Sequence, residues 1–245
     1  MNEQARNNFF LFDVDGTLTS PRKYIDPSDT IVFLSWMVGK SVYLVTGSDR
    51  KKVMQQMPMS ILARCEGVFC SMANQFFDNK RDCIVYSNDW SPPANLLNDL
   101  NNFLLKSEYD TKCGNHIEHR PGMINFSVVG REAGDTERGR YSDWDKLHKE
   151  RASIATILRN KYQDLDVNIG GQISIDINPK GANKSQASKW IRENKENANI
   201  IFFGDKCFKG GNDYDICLDI QRNKDGVFWQ VSGPRETLEI LQEQY

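Results

Sequence analysis

Two carboxylates stand one residue apart at the end of an apolar run in "FFLFDVDGTLTSPRK": Asp13 and Asp15, with Arg22 following in the same segment. A single Asp at a strand end often does no more than cap the next turn. The wider combination says more. "VYLVTGSD" ends a second apolar run on Thr46 and Ser48. "FFGDKCFKGGND" ends a third on Asp205, with Asn212 and Asp213 after a Gly-rich loop, and Lys184 opens a helical stretch before it. Acid-tipped strand ends around one crevice make a site for a hard cation, and Mg²⁺ commonly combines one or two carboxylates with substrate phosphates. A lysine there offsets carboxylate repulsion and the charge of a phosphoryl group in transit. A carboxylate can also serve as the nucleophile. These residue types point to Mg²⁺-assisted phosphoryl transfer.

The elements that must position these groups can be read from apolar patterning. "FFLF", "VYLV" and "GVFCS" are short continuous apolar runs, as expected of strands buried on both faces. Between them, "DPSDTIVFLSWMVGK" predicts a helix with Asp26 as N-cap and Pro27 at its first position, and "RKKVMQQM" predicts another. The βαβαβ rhythm implies a parallel, doubly wound sheet, whose ligands bind beyond the carboxyl ends of the strands. Asp13, Asp15, Thr46 and Ser48 fall at those ends.

The middle of the chain changes character. "HIEHRPGMINFSVVGR" predicts a hairpin around Pro121-Gly122, and "DVNIGGQISIDINPKG" a second around Gly170-Gly171. "PPANLLNDLNNFLLKSE" predicts one amphipathic helix. "SDWDKLHKERASIATILRNKY" predicts a second, behind a Ser142 cap, with Trp144, Leu147, Ile154 and Leu158 on one face. "ANIIFFGDK" and "GVFWQVSG" then return to the buried-strand style. The expected organisation is a core domain from residues 1–80 and 184–245, with an α+β domain of residues 81–183 inserted.

Side chains alternate faces along a strand. Ile173, Ile175 and Ile177 share one face of the inserted sheet, and Ser174, Asp176 and Asn178 the other. Ile124, Phe126 and Val128 fall on the apolar side, Asn125, Ser127 and Arg131 on the polar one, and His116, Glu118 and Arg120 fall together. A polar face is normal for an antiparallel sheet open to water. The alternative is a phosphate-binding face, for which the planar fork of Arg120, Arg131 and Arg138 is suited.

Composition bounds the remaining classes. The chain has 245 residues, a formal net charge of −2 and 39% hydrophobic residues. Its basic residues are scattered, so a nucleic-acid or membrane-surface role is not expected. No run approaches the length of a membrane span, and "MNEQARNN" lacks a signal-peptide profile. The six cysteines show no metal-type pairs and are expected to be reduced thiols in a cytoplasmic protein.

"DVDGT", the strand-end "TGS", Lys184 and "GD…GGND" together resemble the four motifs of the haloacid dehalogenase superfamily. "FDVDGTLTSPR", "GSD", "RPGMINFSVVGR", "GGQISIDINPKG", "FFGDK" and "GGND" narrow the likeness to its eukaryotic-type phosphomannomutases, over almost the whole chain. The resemblance implies a Rossmann-like core with a parallel sheet, plus an inserted α+β cap. It also implies Mg²⁺, a hexose 1,6-bisphosphate activator, a homodimer formed through the cap, and interconversion of mannose 6-phosphate and mannose 1-phosphate for GDP-mannose synthesis. Glucose phosphates are possible further substrates of such an enzyme. By the same resemblance Asp13 matches the nucleophile and Asp15 the general acid/base, while Lys184 belongs to the catalytic group. Asp13, Asp15 (through its backbone carbonyl) and Asp205 would hold the metal. Arg22, Arg120, Arg131, Arg138, Ser174 and Asp176 would bind substrate, with Thr46, Ser48, Asn212 and Asp213 in support. The chain departs from the family where Thr46-Gly47 replaces Gly-Gly, where "HIEHRPG" replaces F-x-E-F-R-N-G, and where "SMANQFF" replaces an Asn-Gly-Leu. "CLDIQRN" stands for a Thr-Asp-Pro-Arg-Thr loop, leaving Cys217 and Asp219 for any second cation. His116 and His119 are expected to pack rather than catalyse, and Cys207 to be a passive substitution. Three readings follow: a phosphohexomutase, a sugar-phosphate phosphatase with the same nucleophile, and a sugar-phosphate-binding protein without catalysis.

Overall fold

In the computed structural model, which describes residues 6–245, the first apolar run forms β1 (Asn7–Phe12). It is followed by α1 (Pro27–Trp36), β2 (Ser41–Val45), α2 (Arg50–Gln56), α3 (Met59–Leu62) and β3 (Gly67–Cys70). Asp26 caps α1 as expected, its Oδ1 accepting from the Ser28 N–H at 2.8 Å. Two further strands, β4 (Gln75–Asp78) and β5 (Cys83–Ser87), continue the sheet before the chain leaves it.

Two compact units result, one from residues 1–87 and 183–245, the other from residues 88–182. The second unit holds α4 (Ala94–Lys106), β6 (Ile117–Arg120), β7 (Met123–Phe126), α5 (Asp135–His148), α6 (Glu150–Lys161), β8 (Leu165–Ile169) and β9 (Ile175–Pro179). The chain then returns to the first unit with α7 (Ser185–Asn194), β10 (Ala198–Gly204), α8 (Tyr214–Asn223), β11 (Gly226–Gln230) and α9 (Pro234–Gln244).

The sheet of the first unit runs β11-β10-β1-β2-β3-β4-β5. β11 through β3 are parallel, and β4 and β5 are antiparallel additions. Its strands read as continuous apolar runs because both faces are covered. Phe10, Phe12, Leu44 and Phe203 belong to one core cluster, and Phe9, Leu11, Tyr43 and Phe202 to another. β1 is central, with Phe12 opposite Phe203 on one side and Leu44 on the other. That register brings the carboxyl ends of β1, β2 and β10 side by side.

The second unit is a four-stranded antiparallel sheet, ordered β6-β7-β9-β8. Ile124, Phe126, Val167, Ile175 and Ile177 pack with Leu96, Leu100, Tyr141, Ile154 and Leu158 in one core. Both expected hairpins are present. The expected single helix is two. Lys149 adopts a left-handed conformation (φ 56°) that ends α5 and begins α6. Asp145 fixes this corner, accepting from the Arg151 N–H at 2.8 Å and from Arg151 Nε at 2.8 Å. Ser142 therefore lies inside α5 rather than capping a helix, and Leu147 is exposed rather than in the core. Among the described residues no helix is long and apolar enough to cross a membrane.

Candidate active site

Asp13 is the first residue beyond β1. Its N–H donates to the Phe203 carbonyl at 2.9 Å, so the ladder with β10 fixes where the side chain starts. The carboxylate is buried, and Lys184 Nζ lies 2.6 Å from its Oδ1. The same ammonium lies 2.6 Å from Asp213 Oδ1. Lys184 is fully buried just ahead of α7, and its stem is packed away while its charge meets two carboxylates. Burial would lower its pKa, but Asp13 and Asp213 more than reverse that and keep it an ammonium. Burial pushes the Asp13 carboxyl well above the ordinary range. Lys184 pulls it back, while Asp213 and Asp205 push the same way as burial.

Asp205 follows β10. Burial raises its pKa as well, against the pull of Lys206, whose Nζ pairs with Asp205 Oδ2. The approach here is close. Gly16 has φ +90°, and a Cβ built on it would lie 2.5 Å from Asp205 Oδ2, so no larger residue fits that turn unchanged. Asp213 is tied in from two sides, its Oδ2 accepting from the Lys206 N–H at 3.0 Å.

The donor set suits a hard divalent cation. Ligand oxygens of Asp13, Asp205 and Asp213 lie within 4.8 Å of one another. Three carboxylates face two lysines, which leaves an excess of negative charge in a buried place. Asp205 Oδ1 is buried with no hydrogen-bond partner among the described residues, an acceptor that a cation would satisfy. The sequence expects Asp15 to join Asp13 and Asp205 through its backbone carbonyl; the carboxylates that cluster are those of Asp13, Asp205 and Asp213.

The Asp15 side chain serves another purpose. Its Oδ1 accepts from the Arg22 N–H at 2.5 Å and from Gln56 Nε2 at 2.8 Å. Arg22 is left-handed (φ 63°), a conformation costing roughly 1–2 kcal/mol for a non-glycine residue. Its Nη1 is buried with no partner among the described residues. A guanidinium held in that way is ready for an anion.

Thr46 and Ser48 form the turn after β2, where the Ser48 N–H donates to Thr46 Oγ1 at 3.1 Å. Their carbonyls hold the loop after β3, accepting from the Met72 and Ser71 N–H groups at 3.0 and 2.9 Å. Ser71, Met72 and Ala73 are left-handed in succession, φ 52°, 59° and 62°. No glycine relieves these three positions, and neighbouring hydrogen bonds hold the strain. One is Asn74 Nδ2 to the Ser71 carbonyl, 2.9 Å. Asn212 is buried in the loop before α8.

In the second unit Glu118 Oε2 accepts from Arg120 Nη2 and Arg131 Nε, each at 2.7 Å. Burial alone would raise the Glu118 pKa, but the two arginines outweigh it and hold it below the ordinary value. Arg131 does not continue the face of β7 as the alternation predicted. The strand ends at Phe126, and Arg131 sits in the turn before α5. Arg138 lies on α5, buried, with Nε donating to the Ala133 carbonyl at 2.8 Å. Asp176 stands opposite Asn125 and Asn168, and its Oδ1 accepts from Asn125 Nδ2 at 2.6 Å. Ser174 comes just before β9 and is buried. His116 Nδ1 lies 2.9 Å from the Ser127 carbonyl, and His119 is exposed.

Cys217 and Asp219 are not brought together. Two residues apart on α8, they face different ways. The Cys217 thiol joins the core, whereas Asp219 Oδ2 accepts from Ser188 Oγ at 2.6 Å and Arg192 Nη2 at 2.9 Å. Sequence reasoning left Gln56, Glu118 and Lys206 without roles. Lys206 sits in the quoted "GDK" and Glu118 on the quoted polar face. Nothing in "RKKVMQQM" separates buried Gln56 from exposed Gln55.

Comparison with known proteins agrees with this architecture. A family model for eukaryotic phosphomannomutase matches residues 33–245. The chain is 36% identical over 239 residues to a phosphomannomutase of Spinacia oleracea, covering 95% of this chain and 94% of that one. It is 33% identical over 245 residues to phosphomannomutase 1 of Dictyostelium discoideum, covering 97% and 96%. Among solved structures, the C-terminal domain of a C. albicans trehalose-6-phosphate phosphatase superposes with a TM-score of 0.65 at 16% identity, over 97% of this chain and 91% of that one. A haloacid dehalogenase-like hydrolase from Bacteroides thetaiotaomicron gives 0.59 at 12% identity, over 98% and 100%. These two show the fold. On the sequence matches, the chain belongs to the eukaryotic phosphomannomutase family.

Proposed function

We propose that this chain is an isomerase that interconverts mannose 6-phosphate and mannose 1-phosphate by way of a phosphorylated Asp13. The observation that carries the reading is Asp13 itself: a buried carboxylate at a strand end, paired with the buried Lys184 and followed by Asp15. A binding protein would have no use for a nucleophile and an acid/base set so close together.

In this reading, an Asp13 oxygen attacks one phosphorus of a hexose 1,6-bisphosphate. The P–O bond to the sugar breaks as Asp15 gives its proton to the departing oxygen. The free hydroxyl of a hexose monophosphate then attacks the aspartyl phosphate, Asp15 takes that proton back, and the bisphosphate so formed reorients before Asp13 removes its other phosphoryl group. Lys184 holds Asp13 in place and offsets its charge. Arg22, Arg120, Arg131 and Arg138 take phosphate oxygens, and Ser174 and Asp176 face the sugar. Asp13, Asp205 and the Asp15 carbonyl would hold Mg²⁺, with Asp213 beside them. The cation supplies charge neutralisation at the phosphoryl oxygens. A bisphosphate activator, a cap-mediated homodimer, a cytoplasmic location and a supply of mannose 1-phosphate for GDP-mannose belong to the same reading, on the strength of the family.

The test is to incubate mannose 1-phosphate with Mg²⁺ and a trace of hexose 1,6-bisphosphate, following mannose 6-phosphate and free phosphate together. The reading expects isomerisation to outrun hydrolysis and to depend on the bisphosphate. Phosphate release faster than isomerisation would make the protein a phosphatase instead.

A further inference from the structure

The Asp15 carboxylate is held asymmetrically. Oδ1 receives two donors, the Arg22 N–H and Gln56 Nε2, and no described residue donates to Oδ2. Gln56 is fully buried at the last position of α2, and the loop that follows Asp15 is tied to it. Its own carbonyl accepts from the Ile25 N–H at 2.9 Å, and its Nε2 also lies 3.4 Å from Thr19 Oγ1 and from the Lys23 carbonyl. The amide can point only one way. Turned over, its oxygen would meet the carboxylate oxygen at the same short distance, a repulsion with nothing nearby to relieve it. Gln56 Oε1 is buried with no partner among the described residues, so the side chain gives up one of its own hydrogen bonds to keep this orientation.

We infer that Gln56 is a positioning residue for the acid/base step. It fixes Oδ1 so that Oδ2 is the oxygen that carries the proton, and it acts only through Asp15. The inference rests on the proposed function. In the step concerned, the sugar-oxygen–phosphorus bond breaks, the Asp13-oxygen–phosphorus bond forms, and the proton on Asp15 Oδ2 passes to the sugar oxygen. A sugar alkoxide is a poor leaving group and needs that proton. Acetate is a good one and does not, so acetyl phosphate can phosphorylate Asp13 without help from Asp15.

The experiment measures single-turnover phosphorylation of Asp13 from hexose 1,6-bisphosphate and from acetyl phosphate, in wild type and in Gln56→Leu. The leucine keeps the packing volume and removes the donor. The expected result is a loss of about tenfold or more with the bisphosphate, largely in the limiting rate rather than in the half-saturating concentration, and less than about threefold with acetyl phosphate. In an Asp15→Asn background the same substitution should change the bisphosphate rate by less than about twofold, because its effect is already spent. Gln56→Asn, whose shorter amide withdraws the donor, should give the same split and serves if the leucine variant does not fold. Equal losses with both donors, or a full further loss in the Asp15→Asn background, would overturn the role of Gln56 alone. No label on wild-type Asp13 from either donor would overturn the proposed function, and this role with it.

Discussion

Lys184 Nζ sits 2.6 Å from Asp13 Oδ1, and both groups are buried. The residue that would be phosphorylated is thus ion-paired beneath the surface, with the second carboxylate of Asp213 at 2.6 Å from the same ammonium. Removing the shared cation strands two buried carboxylates. Lys184→Met is therefore expected to lower the free energy of unfolding by about 3–5 kcal/mol. Urea titration checks this, and the double variant Lys184→Met/Asp213→Asn should regain part of the loss. A single-variant loss below about 1 kcal/mol would mean that the trio is not held as described.

Much of this arrangement was legible from the chain. Continuous apolar runs ending on Asp13, Thr46 and Asp205 located the parallel strands and their carboxyl ends, because a sheet covered on both faces leaves no other pattern. What escaped was set by tertiary contact. Lys149 breaks a run that reads as one helix, since Asp145 and Arg151 reward a left-handed corner there. β4 and β5 extend the first unit's sheet although "QFFD" and "CIVYS" carry no strong period. The value of Gln56 depends on which side of α2 meets Asp15, and no local pattern encodes that.

Glu118 gives a pH-dependent test. Its pKa is held below the ordinary glutamate value of 4.5 because Arg120 and Arg131 outweigh burial. The stabilisation is complete above that ordinary value and is lost as pH falls through the lowered folded-state value. Thermal unfolding followed downward from pH about 5 should therefore fall more steeply for wild type than for Glu118→Gln. Parallel curves would show that the bracket contributes nothing to folding.

Arg131 should matter for substrates with a phosphate left over. Each charge-assisted hydrogen bond lost is worth about 1.5–3 kcal/mol, so Arg131→Ala should weaken use of hexose monophosphates by about tenfold or more. Acetyl phosphate, which has only the reacting phosphate, should be nearly indifferent. Steady-state kinetics with both donors decides it, and equal damage to both would make Arg131 structural.

The carboxylate cluster should respond to cations. Mg²⁺ added to EDTA-treated protein should raise the unfolding temperature, by binding the folded form alone. Asp205→Asn should reduce that rise, since it removes the carboxylate charge and replaces one of its oxygens with a donor that no cation can use. An equal rise in both proteins would place the binding elsewhere.

The central claim is that Asp13 carries the phosphoryl group. The direct measurement is rapid quenching of wild type with hexose 1,6-bisphosphate labelled in its phosphates, followed by digestion and location of the label. The label is expected on the peptide containing Asp13, chased by mannose 1-phosphate at a rate matching turnover, and absent from Asp13→Asn. Label on another residue, or full isomerisation with no labelled protein at any time, would contradict the account.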